Sequence, residues 1–249
     1  MRTQEQPSNM RGIIDLTAGL AQRNAMLLVH ARTLDPLSRA VRLALGEKRA
    51  VFHVREALPF EEDAALLALS QDGTTPILVD DSWGHGATIS EALSIFEYLE
   101  DLLPTPPLLP GGPLERAAVR TLTIRAMRAL GPIVERIVTE KARKLLTRGG
   151  APDPAILRKA TVEANQALDQ IGRAAEREGW IGGKKLSMAD MVAAAHFSVL
   201  DFLDAVNWAS APAGKDWYAR LKQRPAFRPL LLDGVAGLSA PPHYADLDF

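Results

Sequence analysis

The chain has 249 residues, enough for one large domain or two small ones. A hydrophobic fraction of 47% suffices for a full core, and a net charge of -1 argues against nucleic acid or an anionic membrane as the partner of the whole protein. The absence of cysteine excludes disulfides, thiolate metal sites and a catalytic thiol.

Residues 1–25 are polar and mixed in character. They contain neither a long apolar core nor a small-residue cleavage site, and no apolar run in the chain reaches the roughly 18 residues of a transmembrane helix. We therefore expect a cytoplasmic protein without membrane insertion, in which residues 1–25 form a mobile N-terminal extension.

Strand and helix patterns then alternate along the chain. Asp35 precedes a proline at the first position of a helix, a combination typical of a helix N-terminus. This helix should bury Val41 and expose Arg39 and Arg42. The predicted elements are a strand at 27–30, a helix at 37–45, a strand at 51–54 and a helix at 61–69.

Residues 73–99 combine a turn, short strands at 77–79 and 87–89, and a helix that opens at Ser90. Thr75 precedes a proline, which biases it toward an extended conformation. Its backbone is therefore free to pair with an extended peptide. Together with the preceding elements, this stretch predicts an α/β domain with a mixed four-stranded sheet covered by three helices.

Five prolines and two glycines fall within residues 104–113, a composition typical of an extended linker. We place an α/β domain at 26–103 before it. All later segments favour helices, which predicts a helical domain at 114–238 and a tail at 239–249.

The first helical stretch, residues 114–148, carries nine Lys or Arg and three Glu side chains, a local charge of +6. We expect Pro132 to interrupt or kink its helix. A basic stretch in a nearly neutral protein is either a solvated face or a surface for an acidic partner. In the second case Arg125 and Arg128 are candidate partner-binding residues.

A helix is predicted at 154–178. Ser187 and Asp190 then have the spacing of a capping box, before an almost wholly apolar helix that should lie at the centre of the helical domain. His196 on that helix is interpreted as a core histidine and not as a catalytic one. Shorter helices are predicted at 215–223 and 227–232.

Five segments, in this order, resemble the glutathione transferase superfamily: LDPLSRAVRLAL, GTTPIL, ISEALSIFEYL, PPLLPGGPLERAAVR and LSMADMVAAAH. The resemblance covers nearly the whole chain from Met26. It implies an N-terminal thioredoxin-like domain and a C-terminal helical bundle, commonly in a homodimer. It also implies a cis peptide bond before Pro76 and a glutathione cradle formed by Thr75, Pro76 and Glu91.

Two positions depart from the superfamily pattern. Many bacterial members carry an activating serine or cysteine immediately before the proline that opens the first helix, and Asp35 stands at that position. A carboxylate beside the sulfur raises the pKa of the thiol, so the hydroxyl of Thr33 or Ser38, helped by Arg39, would have to activate glutathione. Ala92 stands where a serine would bind the glutamyl group, which removes one hydrogen bond.

The C-terminal segments DWYARLKQRPAFRPLL and PPHYADLDF resemble the ending of transferase-like division proteins that bind the tubulin-like polymer FtsZ. This resemblance implies that no cofactor is required. Tyr244 and Phe249 would then be apolar anchors for a partner, and Asp246 and Asp248 its charged contacts. The alternative is a tail that folds back and packs Tyr244 against the helical domain.

The sequence leaves two functions open. The first is a dimeric, non-catalytic scaffold that binds FtsZ or other division proteins. The second is an active glutathione transferase that conjugates glutathione to a small electrophile through Thr33 or Ser38. Nucleic-acid binding is the weakest reading, because no recognised motif supports it.

Overall fold

The structure is a computed structural model that describes residues 26–83 and 86–247. The predicted N-terminal extension lies outside these residues. The strands are β1 (Leu27–Ala31), β2 (Phe52–Glu56), β3 (Ile77–Asp80) and β4 (Ala87–Ser90). They form one sheet in the order β2-β1-β3-β4.

The sheet is mixed. β1 pairs in parallel with β2, with Leu27 opposite Phe52, and antiparallel with β3, with Leu27 opposite Asp80. β4 continues the sheet antiparallel to β3. A parallel pair requires a crossover connection, and the helix α1 (Pro36–Glu47) supplies it. The predicted mixed four-stranded sheet is confirmed.

The helix α1 begins as predicted, with Asp35 as its N-cap and Pro36 at its first position. It is followed by α2 (Ala64–Leu69) and α3 (Ala92–Leu102). The prediction that Arg39 is exposed on α1 is wrong, because Arg39 is completely buried. The helix α1 packs between the sheet and a helix of the second half of the chain, so both of its sides are covered.

The second half of the chain is helical. It contains α4 (Pro113–Val138), α5 (Lys144–Leu146), α6 (Pro154–Glu178), α7 (Met188–Phe202), α8 (Pro212–Lys222) and α9 (Arg228–Leu231). Every residue of α7 is buried, which confirms α7 as the central helix, and the capping box of Ser187 and Asp190 is present. The helices α6 and α8 touch closely, since a Cβ on Gly172 would lie 2.2 Å from the backbone nitrogen of Gly214.

Of the two outcomes expected at Pro132, the interruption is wrong and the kink stays a prediction. The helix α4 continues through Pro132, and the irregular turn comes later, as a π-helical segment at Thr139–Arg143. Pro132 and Arg128 are both exposed. The carbonyl of Arg128, which loses its usual N–H donor to the proline, therefore lies on the solvent side and can accept from water.

In the described part of the chain, none of the helices has the length and apolar content needed to cross a membrane. The same residues contain no cluster of three or more His, Asp or Glu side chains that could hold a metal ion.

Candidate functional site

The N-terminus of α1 is organised by the carboxylate of Asp35. Its oxygens accept hydrogen bonds from the backbone N–H groups of Leu37 at 3.0 Å and of Ser38 at 3.1 Å. The Ser38 hydroxyl donates to Oδ2 at 2.5 Å, and the Thr75 hydroxyl donates to the same oxygen at 2.8 Å. Four donors thus converge on one carboxylate, two of them from the helix backbone that an N-cap satisfies.

Burial raises the pKa of Asp35, and the hydrogen bonds from Ser38, Thr75 and the helix backbone oppose this shift without cancelling it. Asp35 occupies the position before the first proline of α1, where many bacterial members carry the residue that activates the thiol. Its carboxylate offers no hydroxyl that could donate a hydrogen bond to a thiolate. This is the structural consequence of the first departure from the superfamily pattern.

The two hydroxyls predicted to activate a thiol are both engaged. Ser38 is buried and donates to Asp35. Thr33 is buried and its hydroxyl contacts the carboxylate of Glu56 on β2. Because a hydroxyl has a single hydrogen, neither side chain can donate to a thiolate while it keeps its carboxylate partner. Arg39, the predicted helper, instead donates from Nε to the carbonyl of Thr33 at 2.7 Å.

The cradle for an extended peptide is better preserved. The Thr75–Pro76 peptide bond is cis, as the resemblance implies. Within the described residues, the backbone N–H of Thr75 makes no backbone hydrogen bond, and Thr75 is partly exposed. Ile77 pairs with Ser90 at the end of the β3–β4 ladder, and Pro76 and Glu91 are the chain neighbours of this last pair.

Glu91 is the N-cap residue of α3 and has a φ of 68°, in the left-handed region that non-glycine residues rarely adopt. Its side chain is exposed and makes no capping hydrogen bond. Ala92 is buried at the first position of the helix. The side chain that follows Glu91 therefore offers no hydroxyl.

A cleft of about 530 Å³ opens beside Asp35. It lies between the segment 59–74 of the sheet domain and the helices α4 and α7. Its charged lining consists of Asp35, Glu61, Glu62, Asp63, Asp72 and Glu135 against Arg32 and Arg143. A negatively charged ligand that enters this cleft meets mainly carboxylates.

His196 lines the cleft from α7. The residue is buried, and its Nδ1 lies 2.7 Å from the carbonyl oxygen of Val192, one turn earlier. Burial lowers the pKa of His196 to about 4, so the imidazole is neutral at physiological pH. The expectation of a core histidine agrees with its burial, but the ring also lines the cleft.

The structure contradicts Tyr244 as an exposed partner anchor. Tyr244 is 1% exposed, and its ring packs edge-on against Phe202. Its hydroxyl accepts from Nη1 of Arg39 at 2.7 Å and donates to the carbonyl of Leu230 at 2.8 Å. The tail therefore folds back onto the helical domain, as in the alternative to a partner-binding tail that the sequence left open. No pattern in the sequence pairs a residue of the first helix with one near the C-terminus.

The other predicted partner residues differ in accessibility. Arg125 and Arg128 are exposed on α4. Among the residues that the structure describes, neither forms an ion pair or side-chain hydrogen bond. Asp246 is exposed as well, while Asp248 and Phe249 lie outside the described residues.

Comparison with known families and proteins agrees with the fold. The N-terminal domain of glutathione S-transferases matches residues 33–107. FtsZ-localized protein A of Caulobacter vibrioides is 40% identical over 222 residues, which cover 89% of this chain and 97% of that protein.

Two solved structures are similar along most of the chain. The structure of FzlA from C. crescentus has a TM-score of 0.86 at 39% identity, over 90% of this chain and 100% of the other. A glutathione S-transferase from Rhodospirillum rubrum has a TM-score of 0.85 at 37% identity, with the same coverage of 90% and 100%. At 37% and 39% identity, the chain resembles these two proteins in sequence as well as in fold.

Proposed function

Because the chain belongs to the glutathione S-transferase superfamily, we propose that it is a non-catalytic member that acts in cell division by binding FtsZ filaments. The observation that carries this proposal is the 40% identity, over 97% of the relative's length, to a protein named for its localization with FtsZ. The proposal includes a homodimer in the cytoplasm that requires no cofactor.

The geometry at α1 supports the non-catalytic part. A transferase must stabilise the glutathione thiolate with a hydrogen-bond donor or a positive charge. Here the hydroxyls of Ser38 and Thr75 both donate to Asp35. A carboxylate in that position raises the pKa of a nearby thiol, which opposes thiolate formation at neutral pH.

The partner surface is assigned to exposed charges. Arg125 and Arg128 lie three residues apart on α4, so they project from the same side of the helix. Two arginines without an ion pair or side-chain hydrogen bond to any described residue suit an acidic patch on a polymer subunit. Asp246 in the tail is a second candidate contact, whereas the buried Tyr244 serves to hold the tail in place.

Co-sedimentation with GTP-assembled FtsZ tests the proposal. The wild-type chain should pellet with the filaments, and an Arg125→Glu/Arg128→Glu variant should pellet at least tenfold more weakly. Arg158→Glu/Arg177→Glu on α6 is the matched control, because it reverses two exposed arginines elsewhere and should bind as the wild type does. Absence of the wild-type chain from the pellet would overturn the proposed function, and unchanged binding of the α4 variant would overturn the surface.

An active transferase is the second candidate, favoured by the free backbone N–H of Thr75 in a preserved cradle. In that case the protein turns over a generic electrophile with glutathione, and Ser38→Ala or Thr33→Val abolishes the activity. Turnover that neither substitution affects would exclude both hydroxyls as the activating group.

A further inference from the structure

The cleft beside Asp35 combines an apolar interior with a carboxylate rim. Leu37, Phe60, Met127 and Val134 supply apolar surface, and the volume of about 530 Å³ lies in the range of small-molecule sites. The six acidic lining residues outnumber the two arginines. This lining favours a ligand with an apolar body and without a negative charge.

Both arginines that line the cleft already contact other groups of the protein. Arg32 donates to the carbonyl oxygens of Leu58 at 3.3 Å and Glu61 at 2.9 Å. The guanidinium of Arg143 lies 5.1 Å from the centre of the Phe60 ring and 4.0 Å from the carboxylate of Glu135. Their positive charges are thus partly satisfied by groups of the protein itself.

Two carboxylates at the rim stay available. Glu61 and Glu62 are exposed, and neither side chain forms a hydrogen bond or ion pair with another described residue. They lie on the segment that leads into α2, next to Asp63, which caps this helix through the backbone N–H of Ala65 at 2.9 Å. Glu61 and Glu62 therefore carry negative charge without an ion pair to another described residue, whereas Asp63 pairs with Nη1 of Arg55 at 3.2 Å.

The lining offers a second, independent acceptor. His196 is 2% exposed, and its Nδ1 must carry the proton because it faces the carbonyl oxygen of Val192 at 2.7 Å. The opposite nitrogen, Nε2, then holds a lone pair, and it has no hydrogen-bond partner among the described residues. Because His196 lines the cleft, this lone pair can accept a hydrogen bond from a ligand.

We propose that this cleft binds an organic cation, a guanidinium or ammonium group carried on a short apolar body. The Glu61 and Glu62 carboxylates attract the charge, the Phe60 side of the cleft covers the body, and Nε2 of His196 accepts an N–H. This inference goes beyond the FtsZ proposal and does not depend on it.

Calorimetric titration of the full chain with benzylguanidine tests the inference, with benzylurea as a neutral probe of nearly the same shape. Benzylguanidine should bind about tenfold more tightly than benzylurea, because the carboxylate rim favours the cation. A Glu61→Gln/Glu62→Gln variant should lose this preference. Glu176→Gln/Glu178→Gln, which neutralises two exposed carboxylates on α6, is the matched control and should keep it.

Equal affinities of the two probes for the wild-type chain would overturn the inference, and so would a preference that survives in the rim variant. His196→Phe should weaken benzylguanidine further; because this residue is buried, the exposed rim variant keeps the test valid if His196→Phe does not fold. The titration contains no FtsZ, so its outcome does not affect the conclusion from co-sedimentation. Failure of the protein to co-sediment with FtsZ likewise does not affect the conclusion from the titration.

Discussion

The hydroxyl of Thr75 donates a 2.8 Å hydrogen bond to Oδ2 of Asp35, and it thereby joins the residue before the cis proline to the N-terminus of α1. These two positions are 40 residues apart in the chain. In a transferase they would face the peptide backbone and the thiol of one ligand. Here they bind each other, which links the altered chemistry at Asp35 to the stability of the domain.

Asp35→Ala should therefore destabilise the protein by about 3 kcal/mol, because it removes the helix cap and leaves the hydroxyls of Ser38 and Thr75 without their acceptor. Thr75→Val removes one of these bonds and should cost about 1 to 2 kcal/mol. Urea unfolding measures both changes.

Asp153→Ala is the matched control for Asp35→Ala. Asp153 also precedes a proline and caps α6, through the backbone N–H of Ala155 at 2.7 Å, but in the described part of the chain it binds no buried hydroxyl. Its loss should cost about 1 kcal/mol. If Asp35→Ala is no more destabilising than Asp153→Ala, the network around Asp35 does not stabilise the domain.

His196 should make the protein less stable as the pH falls below neutrality. The pKa of the imidazole is about 4 in the folded protein and 6.5 in the unfolded chain. Between these pH values the unfolded chain binds a proton at this residue and the folded chain does not, so protonation favours unfolding. This stabilisation is complete above pH 6.5 and is lost as the pH falls toward 4, by about 3 kcal/mol in total.

Urea unfolding of the wild type and of His196→Gln at a series of pH values between neutrality and 4 checks this prediction. The difference between the two stability curves should vary with pH, because only the wild type carries the buried imidazole. His53→Gln alters an exposed histidine on β2 and is the control. Parallel curves for wild type and His196→Gln would contradict the assignment.

Tyr244→Phe should destabilise the helical domain by about 1.5 to 3 kcal/mol, since the lost hydroxyl binds the charged Arg39 and the carbonyl of Leu230. Nη2 of Arg39 already has no hydrogen-bond partner among the described residues. Leu232→Ala, at a side chain that is 87% exposed, should change stability by less than about 0.5 kcal/mol and is the control in the same urea experiment. Wild-type stability of Tyr244→Phe would show that the tail is not held by this bond.

Asp190→Ala should be among the most damaging single substitutions, at about 3 to 5 kcal/mol. Its completely buried carboxylate accepts from the backbone N–H groups of Ser187 at 3.1 Å and Ile181 at 2.9 Å and from Nε1 of Trp217 at 3.1 Å. Ser187→Ala removes only the hydroxyl of the capping box and should cost about 1 kcal/mol. Similar thermal stabilities of the two variants would contradict the central role of Asp190.

Local signals predicted most of the fold. Asp35-Pro36 and Asp153-Pro154 each mark the beginning of a helix, because both combine a side-chain cap with a proline that needs no N–H donor. The Ser187 to Asp190 spacing identified the central helix for a similar reason. These features act within a few residues, so a sequence reveals them directly.

The failures concern contacts between distant segments. Arg39 reads as a surface residue because charged side chains are seldom buried. In the fold α7 and the tail enclose it, Tyr244 accepts a hydrogen bond from it, and the carboxylate of Asp233 lies 3.9 Å from its Nη2. Pro132 reads as a helix breaker, but its exposed position lets water replace the lost donor. The acidic character of the cleft likewise depends on residues that only the folded chain brings together.

We predict that the protein keeps the backbone geometry of the peptide cradle but neither binds nor activates glutathione. Calorimetric titration of the full chain with glutathione at neutral pH tests it most directly. The engaged hydroxyls at Asp35, the missing hydroxyl at Ala92 and the carboxylates of the cleft all disfavour this anionic tripeptide, so we predict no measurable heat up to several millimolar ligand. Binding in the micromolar range would contradict the claim and would identify the cradle as a working glutathione site.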